Sequence, residues 1–166
     1  MIAISMDLLL YGAVFRKTTQ KKIFKQFVLT IILLAFFFNV AWEILQVPLF
    51  KDGTYSWSHI VFCVVASVAD VIMVLLVYFG FAIIYKNALW IQHLNLIRII
   101  LLLLTGGIGA VLAETWHLSN ATWTYADAMP VIPILNAGLS PVLQFMILPL
   151  LVYLLSFKMV KHLYRT

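Results

Sequence analysis

Four long apolar runs, separated by short polar segments, organise the chain. They cover residues 27 to 47, 58 to 85, 96 to 116 and 139 to 157. Each is about as long as the roughly 20 helical residues that cross about 30 Å of hydrocarbon. The runs lack the alternating pattern of barrel strands, and in lipid only helices and closed barrels satisfy the backbone. The pattern therefore predicts an all-α fold, a polytopic membrane four-helix bundle.

The segments outside these runs differ from one another in character. Residues 1–26 form a short apolar stretch followed by a basic one, which predicts an interfacial or disordered segment leading into the transmembrane domain of residues 27–157. Residues 158–166 form a basic tail. The connection 117–138 is long and rich in aromatic residues, which is typical of a packed lid or a re-entrant element.

Composition and charge support a membrane protein and set its orientation. Hydrophobic residues make up 64% of the chain and charged residues 10%, against about 45–50% and about 25% in soluble domains. Of the eleven Lys and Arg residues, only Lys51 lies on the side of the bundle away from the termini. The positive-inside rule then predicts that both termini are cytoplasmic. Topology therefore explains the net charge of +5, and we expect no nucleic-acid partner.

Three acidic residues lie where membrane physics penalises them. Glu43, Asp70 and Glu114 fall inside predicted spans, although an ionisable side chain there costs roughly 2.5–3.5 kcal/mol on insertion scales. Intramembrane acids are functional by default. We expect these three to be the catalytic or proton-handling groups.

Each span also carries a polar stripe at helical spacing. If the stripes face one another, they form one polar cavity at the outer end of the bundle, floored by Asp70 and covered by the loop 117–138. The residues expected to bind a substrate there are Asn39, Trp42, Gln46, His59, Trp116, His117, Trp123, Tyr125 and Gln144. The alternative is that the polar residues only hold helices together, at about 0.6 kcal/mol per hydrogen bond.

Metal and cofactor sites are not expected. Glu43, His59, Glu114 and His117 have suitable ligand atoms, but no tight H-x-x-H or E-x-x-H spacing accompanies them. A haem would need facing histidines deep in the bundle, and the predicted spans contain none. The single Cys63 provides no disulfide framework and no C-x-x-C motif.

Three strings carry a resemblance to known membrane proteins: N-V-A-W-E-I-L-Q-V-P-L at 39–49, A-E-T-W-H-L-S-N-A-T-W-T-Y-A-D-A-M-P-V-I-P at 113–133, and G-L-S-P-V-L-Q at 138–144. Together they resemble a family of small bacterial four-span membrane proteins, which implies a fold but no activity. The N-x-x-W-E pattern is similar to that of membrane-integral terpene cyclases of fungal meroterpenoid pathways. That likeness implies that Glu43 protonates an isoprenoid epoxide or alkene, with Glu114 or Asp70 as the second acid. The run from Glu114 to Pro141 also resembles membrane carotenoid hydratases and cyclases.

Three functions follow as hypotheses. The first is acid catalysis on a lipid or isoprenoid, in which aromatic faces stabilise a developing carbocation. The second is a small proton-coupled transporter or channel, and the third is a non-catalytic membrane subunit. We expect membrane lipids and an apolar small molecule as partners, with a homo-oligomer as an alternative to a monomer. The expected location is the bacterial inner (plasma) membrane.

Overall fold

A computed structural model describes residues 2–51 and 53–163. This part of the chain forms five α-helices and one two-stranded hairpin. The elements are α1 (Ile2–Lys17), α2 (Lys21–Gln46), α3 (Trp57–Ile84), α4 (Leu96–Ser119), β1 (Val131–Ile132), β2 (Ala137–Gly138) and α5 (Leu139–Leu163). The last four helices are long and apolar enough to cross a membrane. The prediction of an all-α, multi-pass membrane four-helix bundle is confirmed.

The ends of the spanning helices follow local sequence signals. α2 stops at Gln46 and continues as a 3₁₀ turn over Val47–Leu49, where Pro48 cannot donate a backbone hydrogen bond. α3 begins after Ser56, whose side chain accepts a hydrogen bond from the backbone nitrogen of His59. Asn95 caps α4 in the same way. The helices begin and end within three residues of the predicted spans, except that α2 begins six residues earlier and α5 ends six residues later than predicted.

The helices pack side by side in the order α1, α3, α2, α5, α4. Within the described residues α3 and α4 share no extended contact, although each packs closely on a neighbour. The close approach of α4 to α5 depends on Gly106, where a Cβ atom would lie 2.0 Å from the backbone oxygen of Phe145. The bundle is therefore open along one side, between α3 and α4.

The N-terminal segment is helical and packs on the bundle. α1 contacts α3 and buries Asp7 and Val14, and the Tyr11 ring stacks on Phe24 of α2 at 5.6 Å between centroids. The disordered alternative therefore does not apply to residues 2–17. Met1 and residues 164–166, which the sequence assigns to the two terminal segments, lie outside the described residues.

An aromatic layer fills the half of the bundle near the connection between α3 and α4. Tyr78, Trp90 and Tyr153 are fully buried, with ring centroids 5.5 Å apart for Tyr78 and Tyr153 and 6.1 Å apart for Tyr78 and Trp90. Tyr153 donates a hydrogen bond of 2.6 Å to the backbone oxygen of Val74. Space for a ligand is thus left in the other half, which we call the lid end.

Candidate functional site

A cavity of about 500 Å³ occupies the lid end of the bundle. α3 and α4 form its two sides, α2 and α5 form its back, and the connections after α2 and α4 cover its end. All three acids expected from the sequence line it: Glu43, Asp70 and Glu114. Five of the predicted binding residues line it as well, namely Gln46, His59, His117, Trp123 and Gln144. The polar stripes therefore meet in one space.

Gln144 of α5 is the centre of the polar contacts. Its side chain is 1% exposed, and its amide nitrogen lies 2.9 Å from Asn39 Oδ1, 3.2 Å from Glu43 Oε1 and 3.2 Å from Asp70 Oδ2. Asn39 does not line the cavity but supports this amide from behind, and it donates its own hydrogen bond to the backbone oxygen of Ala35. One nitrogen atom thus connects α2, α3 and α5.

A second set of hydrogen bonds holds Glu43 from the α2 side. Gln46 donates to Glu43 Oε1 at 2.8 Å, and Ser140 donates to Gln46 Oε1 at 2.9 Å. Trp42 in turn donates to Ser140 Oγ at 3.2 Å. Trp42 therefore fixes the position of α5 against α2. It does not line the cavity, although the sequence had suggested a binding role for it.

Glu114 occupies a separate polar group nearer the lid. Its carboxyl accepts hydrogen bonds from the Tyr125 hydroxyl and from Trp123 Nε1, the latter at 3.4 Å. Tyr125 also accepts one from the backbone nitrogen of Gly138 at 2.8 Å. Burial and the neighbouring Glu114 raise the pKa of Tyr125 far above its ordinary value. The phenol therefore stays protonated and remains a donor to Glu114.

The lid combines residues 47–51 with residues 120–138, and two backbone hydrogen bonds join these segments. Lys51 donates to Thr124 and Ala126 donates to Leu49, each at 3.0 Å. β1 and β2 pair antiparallel and close the loop before α5. α4 continues to Ser119, so His117 belongs to the helix, where its ring stacks on Trp123 at 3.9 Å between centroids. Trp116 points away and is 62% exposed.

The cavity walls include residues that the sequence gave little reason to select. Small side chains form them on both sides: Ala66 and Ala69 on α3, and Gly106, Gly109, Ala110 and Ala113 on α4. Phe50 and Thr124 contribute from the lid. The structure divides the small residues of α4 between two roles, because Gly106 also packs closely against α5 whereas a Cβ atom added at Gly109 would meet nothing within 4 Å.

The charges around the cavity are of one sign. Three carboxyl groups and two histidines line it, and its lining contains no Lys or Arg. His117 Nδ1 is buried and has no hydrogen-bond partner in the described part of the chain. Within residues 2–51 and 53–163, no group of three His, Cys, Asp or Glu side chains is arranged to hold a metal ion.

Comparisons with protein-family models, with curated proteins and with solved structures find no match for this chain.

Proposed function

We propose that this protein is a membrane enzyme that isomerises or cyclises an apolar lipid or isoprenoid by acid catalysis, with Glu43 and Asp70 as the proton-donating pair. The observation that carries the proposal is the position of Gln144, whose single amide nitrogen contacts both carboxyl groups. An amide nitrogen has two hydrogens. It cannot donate to Asn39, Glu43 and Asp70 at once.

This shortage of donors favours a pair that holds one proton. Two carboxylates at one dry site repel each other, and a single proton on the pair removes that repulsion. Glu43 accepts hydrogen bonds from both Gln46 and Gln144, whereas Asp70 accepts one from Gln144. Donors directed at a carboxylate stabilise its charged form. Asp70 is therefore the better holder of the proton, and Glu43 is the charged partner that contacts the same Gln144 amide.

Glu114 has two donors directed at its carboxyl, and they favour its charged form against the cost of burial. Tyr125 and Trp123 both donate to it, and Tyr125 is itself kept protonated. In the proposed reaction the acid pair transfers a proton to an alkene carbon, whose π electrons form the new C–H bond and leave a carbocation. Glu114 then removes a proton from the rearranged cation, and the electrons of that C–H bond form the new alkene. Substrate and product are isomers. Glu114 then releases its proton to water and the acid pair takes one proton from water, which restores the starting state without any other co-reactant.

Transport has less support because the cavity does not extend through the bundle. Its deepest lining residue on α3 is Val77, and beyond it lie the fully buried rings of Tyr78, Trp90 and Tyr153. A proton or solute path past Asp70 would have to cross this aromatic layer. The cavity geometry therefore favours a bound molecule that reacts and leaves on the side from which it came.

Deuterium incorporation tests the reaction directly. Purified protein in detergent is incubated in heavy water with a panel of isoprenoid alkenes, and products are analysed by mass spectrometry. Proton transfer from the acid pair to carbon places one solvent deuterium in each isomer formed. Glu43→Gln and Asp70→Asn keep size and hydrogen-bonding capacity but remove the titrating proton, so both should abolish incorporation while the protein remains folded.

Thr115→Val is the matched control. Thr115 lies on α4 outside the cavity lining, and its hydroxyl donates to the backbone oxygen of Val111, so incorporation should be unchanged. Full incorporation by Glu43→Gln would refute the catalytic role of that residue. If no isoprenoid acquires deuterium, and Asp70→Asn instead abolishes proton flux in proteoliposomes, the protein is a transporter.

A further inference from the structure

The shape and charge of the cavity also indicate which class of substrate it binds. We infer that the substrate enters sideways from the bilayer, through the gap between α3 and α4, and that it is an amphiphile with an uncharged hydroxyl head group and a long apolar chain. This inference rests on the proposed function for the choice of the cavity. It adds the route of entry and the class of head group.

The route follows from residues that both line the cavity and are exposed. On α3 these are Ala69 and Met73, and on α4 they are Thr105 and Ala113. In the described part of the chain, α3 and α4 are joined by no extended packing that would close this side. A Cβ atom added at Gly109 would meet nothing within 4 Å. Because both helices cross the membrane, this opening faces the acyl chains of the bilayer.

The length of the opening suits an extended chain. Cavity-lining residues run along α3 from His59 to Val77, a separation of about 27 Å at 1.5 Å per residue. Below Asp70 the α3 wall is formed by Met73 and Val77, and both are apolar. A volume of about 500 Å³ lies within the roughly 300–1,000 Å³ of small-molecule sites. The part of the cavity below Asp70 therefore accommodates an apolar chain, and the part next to the lid accommodates its head group.

The class of head group follows from the electrostatics at the lid end. Glu43, Asp70 and Glu114 line the cavity without any Lys or Arg, so a phosphate or carboxylate would meet negative charge with no cation to pair with it. A hydroxyl group can donate to a carboxylate, and it can accept from a donor such as His117, whose buried Nδ1 has no partner among the described residues.

A pair of probes with the same chain tests both parts of the inference. One is a photoreactive isoprenoid alcohol, and the other is its monophosphate. Each is added to the full-length protein in nanodiscs, and crosslinked residues are mapped by mass spectrometry. We expect the alcohol to label α3 and α4 along the cavity and the monophosphate to label them at least tenfold less. Glu43→Gln should narrow the difference in labelling between the two probes, because it removes the negative charge of the acid pair.

Two glycine variants test the entry route. Gly109→Leu fills the gap between α3 and α4, whereas Gly80→Leu adds the same side chain at another open position on α3 that does not line the cavity. The first should lower labelling by the alcohol at least tenfold, and the second should leave it unchanged. Equal labelling by the two probes would refute the head-group assignment, and unchanged labelling of Gly109→Leu would refute lateral entry.

The labelling readout requires no turnover. If the alcohol labels the cavity as expected but no isoprenoid acquires deuterium, the proposed reaction fails and the binding inference remains. If deuterium is incorporated and the probes label elsewhere or equally, the binding inference fails alone.

Discussion

The side-chain nitrogen of Gln144 and the Asp70 carboxyl oxygen lie 3.2 Å apart and join α5 to α3 across the back of the cavity. α5 packs directly on α2 but has no extended contact with α3 among the described residues. Tyr153 of α5 already joins α3 in the aromatic layer through the backbone oxygen of Val74. The Gln144–Asp70 hydrogen bond is a second side-chain connection between the two helices, at the cavity. It also links the deepest acid of the cavity to the amide that holds Glu43.

Loss of the Gln144 amide should damage both stability and activity. Gln144→Leu has nearly the same size but leaves Asn39, Glu43 and Asp70 without their shared donor. A buried polar group that loses its partner costs about 1–3 kcal/mol. We expect a lower melting temperature in detergent and loss of deuterium incorporation, measured on the same preparation. Thr115→Val should change neither property, and a Gln144→Leu protein with unaltered stability would show that the contact is not formed.

The packing of α4 on α5 should depend on Gly106 and not on Gly109, which lies one turn further along α4. Gly106→Ala places a Cβ atom 2.0 Å from the Phe145 backbone oxygen, so the helices must separate, at a cost of about 1–3 kcal/mol. Gly109→Ala meets nothing within 4 Å and should be neutral or stabilising by about 0.5–1 kcal/mol. Thermal unfolding of the two variants measures the difference. Equal melting temperatures would contradict the close approach at Gly106.

The orientation of the bundle determines which side of the membrane the lid end faces. Because ten of the eleven Lys and Arg residues lie on the side of the termini, we expect both termini in the cytoplasm and residues 117–138 outside. Reporter fusions after residue 166 and within 117–138 should report opposite sides of the membrane. Reports from the same side would mean that α5 does not cross the membrane, and would eliminate the arrangement with four spans.

Hydrophobic periodicity predicted the fold and much of the site, because lipid leaves few alternatives to apolar helices. It also placed Glu43, Asp70 and Glu114 on polar helix faces, and all three line one cavity. It could not predict which helices touch. The gap between α3 and α4 depends on tertiary packing that apolar surfaces of similar composition do not encode. For the same reason the sequence suggested binding roles for Trp42 and Trp116, of which one supports α5 and the other is exposed.

Asp7 should make the stability of the protein depend on pH. Its side chain is 7% exposed, and both carboxyl oxygens lack hydrogen-bond partners in the described part of the chain. Burial raises its pKa from 3.8 to about 6. Because the folded-state value lies above the unfolded one, ionisation opposes folding. The contribution of Asp7 to stability is therefore largest below about pH 4 and is lost as the pH rises through about 6.

Asp7→Asn cannot ionise, so the difference in melting temperature between this variant and the parent protein should change over that interval and be constant above it. A difference that is constant from pH 4 to pH 8 would mean that Asp7 is solvated and that α1 does not bury it against α3.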